Sequence, residues 1–77
     1  PSVADLEVSD FESAFEGNTE VILLGTGKKQ VFPDAHLVTK ILKRGVGIEV
    51  MDSKSACRTF NLLVSEYRRP LAMLMLE

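Results

Sequence analysis

Two glycines flanking a threonine, Gly25-Thr26-Gly27, close an apolar run and are followed directly by Lys28 and Lys29. Glycines there permit positive φ and close backbone approach, and a lysine beside them can neutralise an anion, which is the chemistry of a phosphate or carboxylate cradle. Asp52 ends the next apolar run, and Arg58, Thr59 and Asn61 lie one to two turns into the helix that follows. If both runs are parallel strands, Gly25 to Lys29 and Asp52 lie at the same carboxyl edge, where α/β sheets hold ligands. Arg58 and Asn61 stand three apart on the polar side of their helix and can reach that edge or a partner.

The pattern departs from the known phosphate motifs. A dinucleotide turn needs a third glycine where Gln30 stands, and no P-loop is present. A phosphate turn also feeds straight into a helix, whereas Lys28 to Pro33 intervene here. Structural readings therefore stand beside the chemical ones. Gly25-Thr26-Gly27 reads as a turn, Asp52 as a helix cap, and Arg58 as a solvated charge. Cys57 follows Ala56 near the core face and reads as a buried, inert thiol. His36 falls in the opening turn of the middle helix, exposed, so no cysteine-histidine dyad is expected. One histidine and one cysteine fall short of a metal set, and no paired carboxylates are spaced for acid-base work. The sequence thus identifies no catalytic residues and calls for no metal or cofactor.

The elements that must position these residues alternate. Ser9 and Glu12 have capping-box spacing before a short helix over 10 to 16, with Phe11 and Phe15 on one face and Gly17-Asn18 as its stop. Residues 21 to 25, VILLG, read as a strand buried on both faces. A helix over 34 to 44 follows, with Pro33 in its first turn, Leu37, Val38, Ile41 and Leu42 as its apolar stripe, and Gly45 as the left-handed residue beyond its end. Residues 46 to 52 read as a second buried strand, interrupted by Glu49 at an edge or with a partner. Asp52 then caps a third helix, with Ala56, Phe60, Leu63, Val64 and Tyr67 on its core face. After Pro70, the run LAMLMLE reads as a third buried strand. Strands alternating with helices imply a parallel sheet with right-handed crossovers and a β-α-β-α-β core.

At 77 residues this is read as one domain, residues 1 to 77. A chain of that size buries only about 60% of its unfolded surface, so the core must be used fully. A net charge of −2 offers little for nucleic acid, and the basic pairs Lys28-Lys29, Lys43-Arg44 and Arg68-Arg69 read as solvated surface. Uncharged runs reach only seven residues, as in Pro70 to Leu76. A membrane-spanning helix needs about 20, and none is expected. The single cysteine excludes an internal disulfide and suits a reducing, cytoplasmic setting, or the mitochondrial matrix in a eukaryote.

The segments VILLGTGKKQVF and LKRGVGIEVMDSKSACRTFNLLVSEYRR together resemble the MTH938-like family, formerly DUF498, which includes relatives of mitochondrial complex I assembly factor 3. The resemblance covers residues 20 to 69. It implies a three-layer α/β domain and a role in assembly and interaction, with no established catalysis for the bacterial relatives. It also raises Arg58 as a functional position. Family members usually carry an N-terminal β segment ahead of the first helix, and this sequence begins at Pro1-Ser2 without it, so that either it is a fragment or that layer is missing. The resemblance therefore implies an under-covered sheet face, open to a protein partner or to a second copy. The competing reading is a domain, possibly an enzyme, that binds a small anionic ligand among Gly25 to Lys29, Asp52 and Arg58.

Overall fold

The computed structural model describes residues 2 to 75. Its sheet has the order β2-β1-β3, with β1 at Val21–Gly25, β2 at Gly47–Met51 and β3 at Pro70–Leu74, all parallel. In register, Val21 faces Gly47 on one side and Pro70 on the other. This central place explains why all five residues of β1 are buried, as a β-branched and leucine run requires. The outer strands are half-buried instead. Glu49 of β2 and both Ala72 and Leu74 of β3 are exposed, which corrects the expectation of two further buried strands. Each outer strand has a neighbour on only one side, so part of its surface stays wet. Of the predicted final strand, residues 76 and 77 lie outside the described residues.

Helix α2, Ala35–Lys43, joins β1 to β2, and helix α3, Ser53–Ser65, joins β2 to β3. They cover opposite faces. Ile22 packs with Leu37, Ile41, Val46, Phe11 and Ala14, whereas Val21 and Leu23 pack with Ala56, flanked by Met51, Phe60 and Leu63. The alternation of side chains along β1 sends one set to each layer. Opposite faces are what right-handed crossovers demand when β2 and β3 lie on opposite sides of β1. Full burial of side chains such as Ile22, Leu23 and Leu24 contributes about 1.5–3 kcal/mol each.

The N-terminal segment completes the α2 layer. Two short 3-10 turns, Val3–Asp5 and Val8–Phe11, lead into α1, Glu12–Glu16. The expected Ser9/Glu12 capping box is not formed. The Glu7 N–H donates instead to Asp10 Oδ2 at 2.8 Å, two residues earlier, because the chain begins to coil as a 3-10 turn before α1 starts. Phe11 is wholly buried, and the Arg44 guanidinium lies 4.1 Å over the Phe15 ring.

Asp34 caps α2 through the His36 N–H, so Pro33 precedes the cap rather than entering the first turn. Gly45 has φ 85°, as expected beyond the helix end. Helix α3 ends in a Schellman closure: the Tyr67 N–H donates to the Val64 carbonyl at 3.0 Å and the Arg68 N–H to the Leu63 carbonyl at 2.9 Å. Tyr67 therefore sits at the left-handed position usually taken by glycine, with φ 62°, at a cost of about 1 kcal/mol. It is 92% exposed, and Val64 is also exposed. Neither belongs to the core face of α3, because the helix stops at Ser65 and Val64 lies at the margin of the buried stripe.

Glu20 fastens β3 to β1. It accepts from the Arg69 N–H at 3.0 Å and pairs with Arg68 at 3.3 Å, while the Glu20 N–H donates to the Arg69 carbonyl at 2.8 Å. Its carboxyl is held below the ordinary 4.5, chiefly by the Arg69 N–H and then by the Arg68 guanidinium, against some desolvation.

Candidate functional site

The carboxyl ends of the strands bring Gly25-Thr26-Gly27 beside the start of α3. At Gly25 the backbone leaves no room for a side chain: a Cβ there would stand 2.7 Å from Leu74 Cδ2 and 3.0 Å from Ser53 Cα. Gly27 has φ 92°, the left-handed conformation that glycine adopts without steric cost. Thr26 is nearly buried and used twice over. Its N–H donates to the Met51 carbonyl at 2.9 Å, its hydroxyl donates to the Lys29 carbonyl at 2.6 Å, and the same hydroxyl accepts from the Val31 N–H at 2.9 Å. These bonds fold Lys28 and Lys29 into a tight turn whose side chains are exposed.

Ser53 completes the edge. Its hydroxyl accepts from the Gly27 N–H at 2.8 Å, and its own N–H donates to the Gly27 carbonyl at 2.8 Å. The Gly27 amide that a bound anion would use is thus occupied by the protein. Beside it, Gln30 Nε2 donates to the Val50 carbonyl at 2.8 Å. Neither Ser53 nor Gln30 was singled out as an edge contact from sequence. The signal for Ser53 was its position directly after the cap Asp52, where a short hydroxyl side chain can bond a neighbouring loop.

Asp52 caps α3. Its Oδ1 accepts from the Ser55 N–H at 2.9 Å and its Oδ2 from the Ser55 hydroxyl at 2.8 Å. Arg58 reaches the same group, with Nη2 donating to Ser55 Oγ at 3.1 Å. The Asp52 carboxyl is held below the ordinary 3.8, first by the Ser55 N–H, then by the Ser55 hydroxyl and the Arg58 charge. The edge therefore gathers Gly25, Thr26, Gly27, Lys28 and Asp52, with Arg58 linked through Ser55. Thr59 is half-buried on α3, and Asn61, two residues further along it, is exposed.

Cys57 is exposed, contrary to the expected buried thiol. Ala56 takes the core position, and one further residue turns the side chain about 100° round the axis, out of the stripe. Among the described residues no group of three or more histidine, cysteine or acidic side chains could hold a metal ion. No helix of the described residues is long and apolar enough to cross a membrane. A separate cleft of about 350 Å³ lies between the N-terminal turns and α2, lined by Leu6, Glu7, Val8, His36 and Lys40 among others, and was not legible in the sequence.

The chain is 38% identical over 66 residues to a 13 kDa major membrane protein of Francisella tularensis, covering 86% of this chain and 54% of that protein. It is 42% identical over 59 residues to NADH dehydrogenase [ubiquinone] 1 alpha subcomplex assembly factor 3 of Danio rerio, covering 77% of this chain and 34% of that protein. It thus spans about half the length of the first and a third of the second. Among solved structures, a Bordetella parapertussis protein superposes with a TM-score of 0.85 at 36% identity, over 99% of this chain and 65% of that one. A Bordetella pertussis Mth938-like domain gives a TM-score of 0.78 at 28% identity, over 96% of this chain and 62% of that one. The model of a family described as a protein of unknown function, DUF498/DUF598, matches residues 1 to 75, and with the fold of a Mth938-like domain behind that match, this chain belongs to the DUF498/Mth938-like family.

Proposed function

We propose that the domain is a non-catalytic interaction module that supports the assembly of a larger complex. The observation that carries this reading is the internal use of the sheet's carboxyl edge: Ser53 occupies the Gly27 amide and Ser55 engages both oxygens of Asp52. The amide that would receive a small anion is spent on joining the loop to α3 and the Asp52 carboxylate at the same edge repels one, while the outer side of α3 presents Arg58 and Asn61 to solvent. Relatives named as complex I assembly factors agree with it. The same reading puts the protein to work in a reducing compartment, the cytoplasm or its mitochondrial counterpart, with Cys57 a free thiol.

The test is capture from a native extract on the immobilised chain, with Arg58→Ala as the comparison. A defined partner recovered by the native chain, and lost by a variant with an unchanged unfolding midpoint, is the expected result. Equal capture by the variant removes Arg58 from the contact. The absence of any defined partner, together with a thermal shift from a small anion, would overturn the reading in favour of a ligand-binding domain.

A further inference from the structure

The two outer strands of the sheet each have a far side without a neighbouring strand, and those two sides differ. In β2, the Gly47 N–H donates to the Glu20 carbonyl at 3.0 Å and the Met51 carbonyl accepts from the Thr26 N–H at 2.9 Å. Odd-numbered residues of β2 therefore turn their backbone groups to β1, and Ile48 and Val50 turn theirs outward. That side is blunted. Gln30, from the loop after β1, donates through Nε2 to the Val50 carbonyl at 2.8 Å, and Glu49 stands exposed in mid-strand. A covering loop and a mid-strand charge both discourage the addition of a further strand.

No such device is found on β3 among the described residues. The Met75 N–H donates to the Gly25 carbonyl at 2.7 Å, so odd-numbered residues again face β1, and Pro70, Ala72 and Leu74 face outward. Pro70 has no N–H to offer and suits an edge. Beyond it, the outward backbone groups of Ala72 and Leu74 have no partner among the described residues. The strand PLAML carries no charge, and Ala72 and Leu74 are both exposed. A row of free N–H and C=O groups with no charge beside it is matched by one kind of occupant, another strand.

We propose that this edge pairs with the same edge of a second copy, β3 against β3 in antiparallel, about a twofold axis at Met73. Proline and the alternation of the backbone select the register. Centred on Met73, Ala72 of each copy lies opposite Leu74 of the other, and each such pair exchanges both hydrogen bonds, about four in all. Centred on Ala72 instead, the Pro70 ring meets the Leu74 carbonyl of the other copy with no donor for it. On the α3 side of the joined sheet each exposed leucine covers the small Ala72 opposite. No charge faces another along the paired residues, whereas β2 centred in the same way on Glu49 would set two carboxylates face to face. A twofold contact closes on itself, so association ends at the dimer. This inference goes beyond the assembly reading and uses none of its observations.

Sedimentation equilibrium of the whole chain, from micromolar to millimolar concentration, should show a monomer-dimer equilibrium. Ala72→Pro removes an N–H that faces solvent in the monomer and bonds the other copy in the dimer. It should weaken association at least about tenfold, two hydrogen bonds being lost across the axis. Leu74→Lys gives the same reading without touching the backbone, because its charge stays in water in the monomer and is set against the apolar contact in the dimer. Met73→Cys in a Cys57→Ser background reads the register. Its pair across the axis is not hydrogen-bonded to each other, so the Cα atoms stand about 4.5 Å apart, within disulfide reach, and oxidised glutathione should link two copies. Leu71→Cys lies off the axis and should not link.

A chain that stays monomeric throughout, a dimer undiminished in whichever of Ala72→Pro and Leu74→Lys folds, or growth past the dimer would each overturn the proposal. So would failure of Met73→Cys to link, or equal linking of Leu71→Cys. Capture of a defined partner from extract is a separate result, so the assembly reading stands or falls on its own.

Discussion

Gly27 and Ser53 hold each other by two hydrogen bonds of 2.8 Å, amide to hydroxyl in one direction and amide to carbonyl in the other. The pair ties the end of β1 to the first residue of α3 across the sheet's carboxyl edge. Ser53→Ala removes the acceptor and leaves the Gly27 N–H without its partner beside a buried backbone. A loss of about 1–2 kcal/mol in urea unfolding is expected, the cost of an orphaned donor.

Gly25→Ala should cost more than a surface glycine substitution. The new methyl would stand 2.7 Å from Leu74 Cδ2 and 3.0 Å from both the Cα and Oγ of Ser53. The leucine tip can turn away but the Ser53 backbone cannot, so about 1–3 kcal/mol of strain is expected. Gly45→Ala is the control, since its Cβ meets nothing within 4 Å and only the positive φ of 85° is penalised, at about 1 kcal/mol. Denaturation midpoints of the two variants should fall in that order.

Glu20 links stability to pH. Its folded carboxyl is held below 4.5, so its contribution is fully present above that value and is lost as pH falls through the lower folded value. Glu20→Gln should therefore be less stable than the native chain at neutral pH, and the gap should close in acid. Parallel unfolding curves across the acid range check this, and a gap independent of pH would contradict the assignment.

Inorganic phosphate and nucleotides should leave the unfolding temperature unchanged, because the Gly27 amide is already bonded to Ser53 within the chain and the Asp52 carboxylate at the same edge repels an anion. A ligand present at 100 times its dissociation constant would stabilise the fold by about 2.7 kcal/mol, well within reach of a thermal-shift measurement.

Cys57 should react with a thiol reagent in the folded protein without a lag, since it is exposed on α3. Reaction only after addition of denaturant would place it in the core.

Sequence pattern reached the elements whose signals are local. The VILLG run announced a strand buried on both faces, and Asp52 announced the start of α3, because a continuous apolar run and a short capping side chain act within a few residues. Misreadings arose where a pattern was carried past an element's end. Tyr67 kept the spacing of the α3 core face, but the helix had already closed and the chain had turned left-handed. Cys57 was placed by its neighbour Ala56 rather than by its own angle round the axis. At the carboxyl edge, the glycines and Asp52 were legible, whereas the Ser53 contact depends on the crossover that brings α3 back to β1. No spacing within either segment encodes that juxtaposition.

The central position of β1 has a consequence for synthesis. Both neighbours of Val21–Gly25 lie later in the chain, and the second, Pro70–Leu74, is near the end of the described residues. A ribosome therefore releases the most apolar strand long before one of its sides can be closed. During that interval VILLG carries β-branched and leucine side chains with no charge among them, the composition that promotes intermolecular strand pairing. The acids crowded into the preceding residues travel with it, and their mutual repulsion between nascent chains acts as a gatekeeper until β3 emerges.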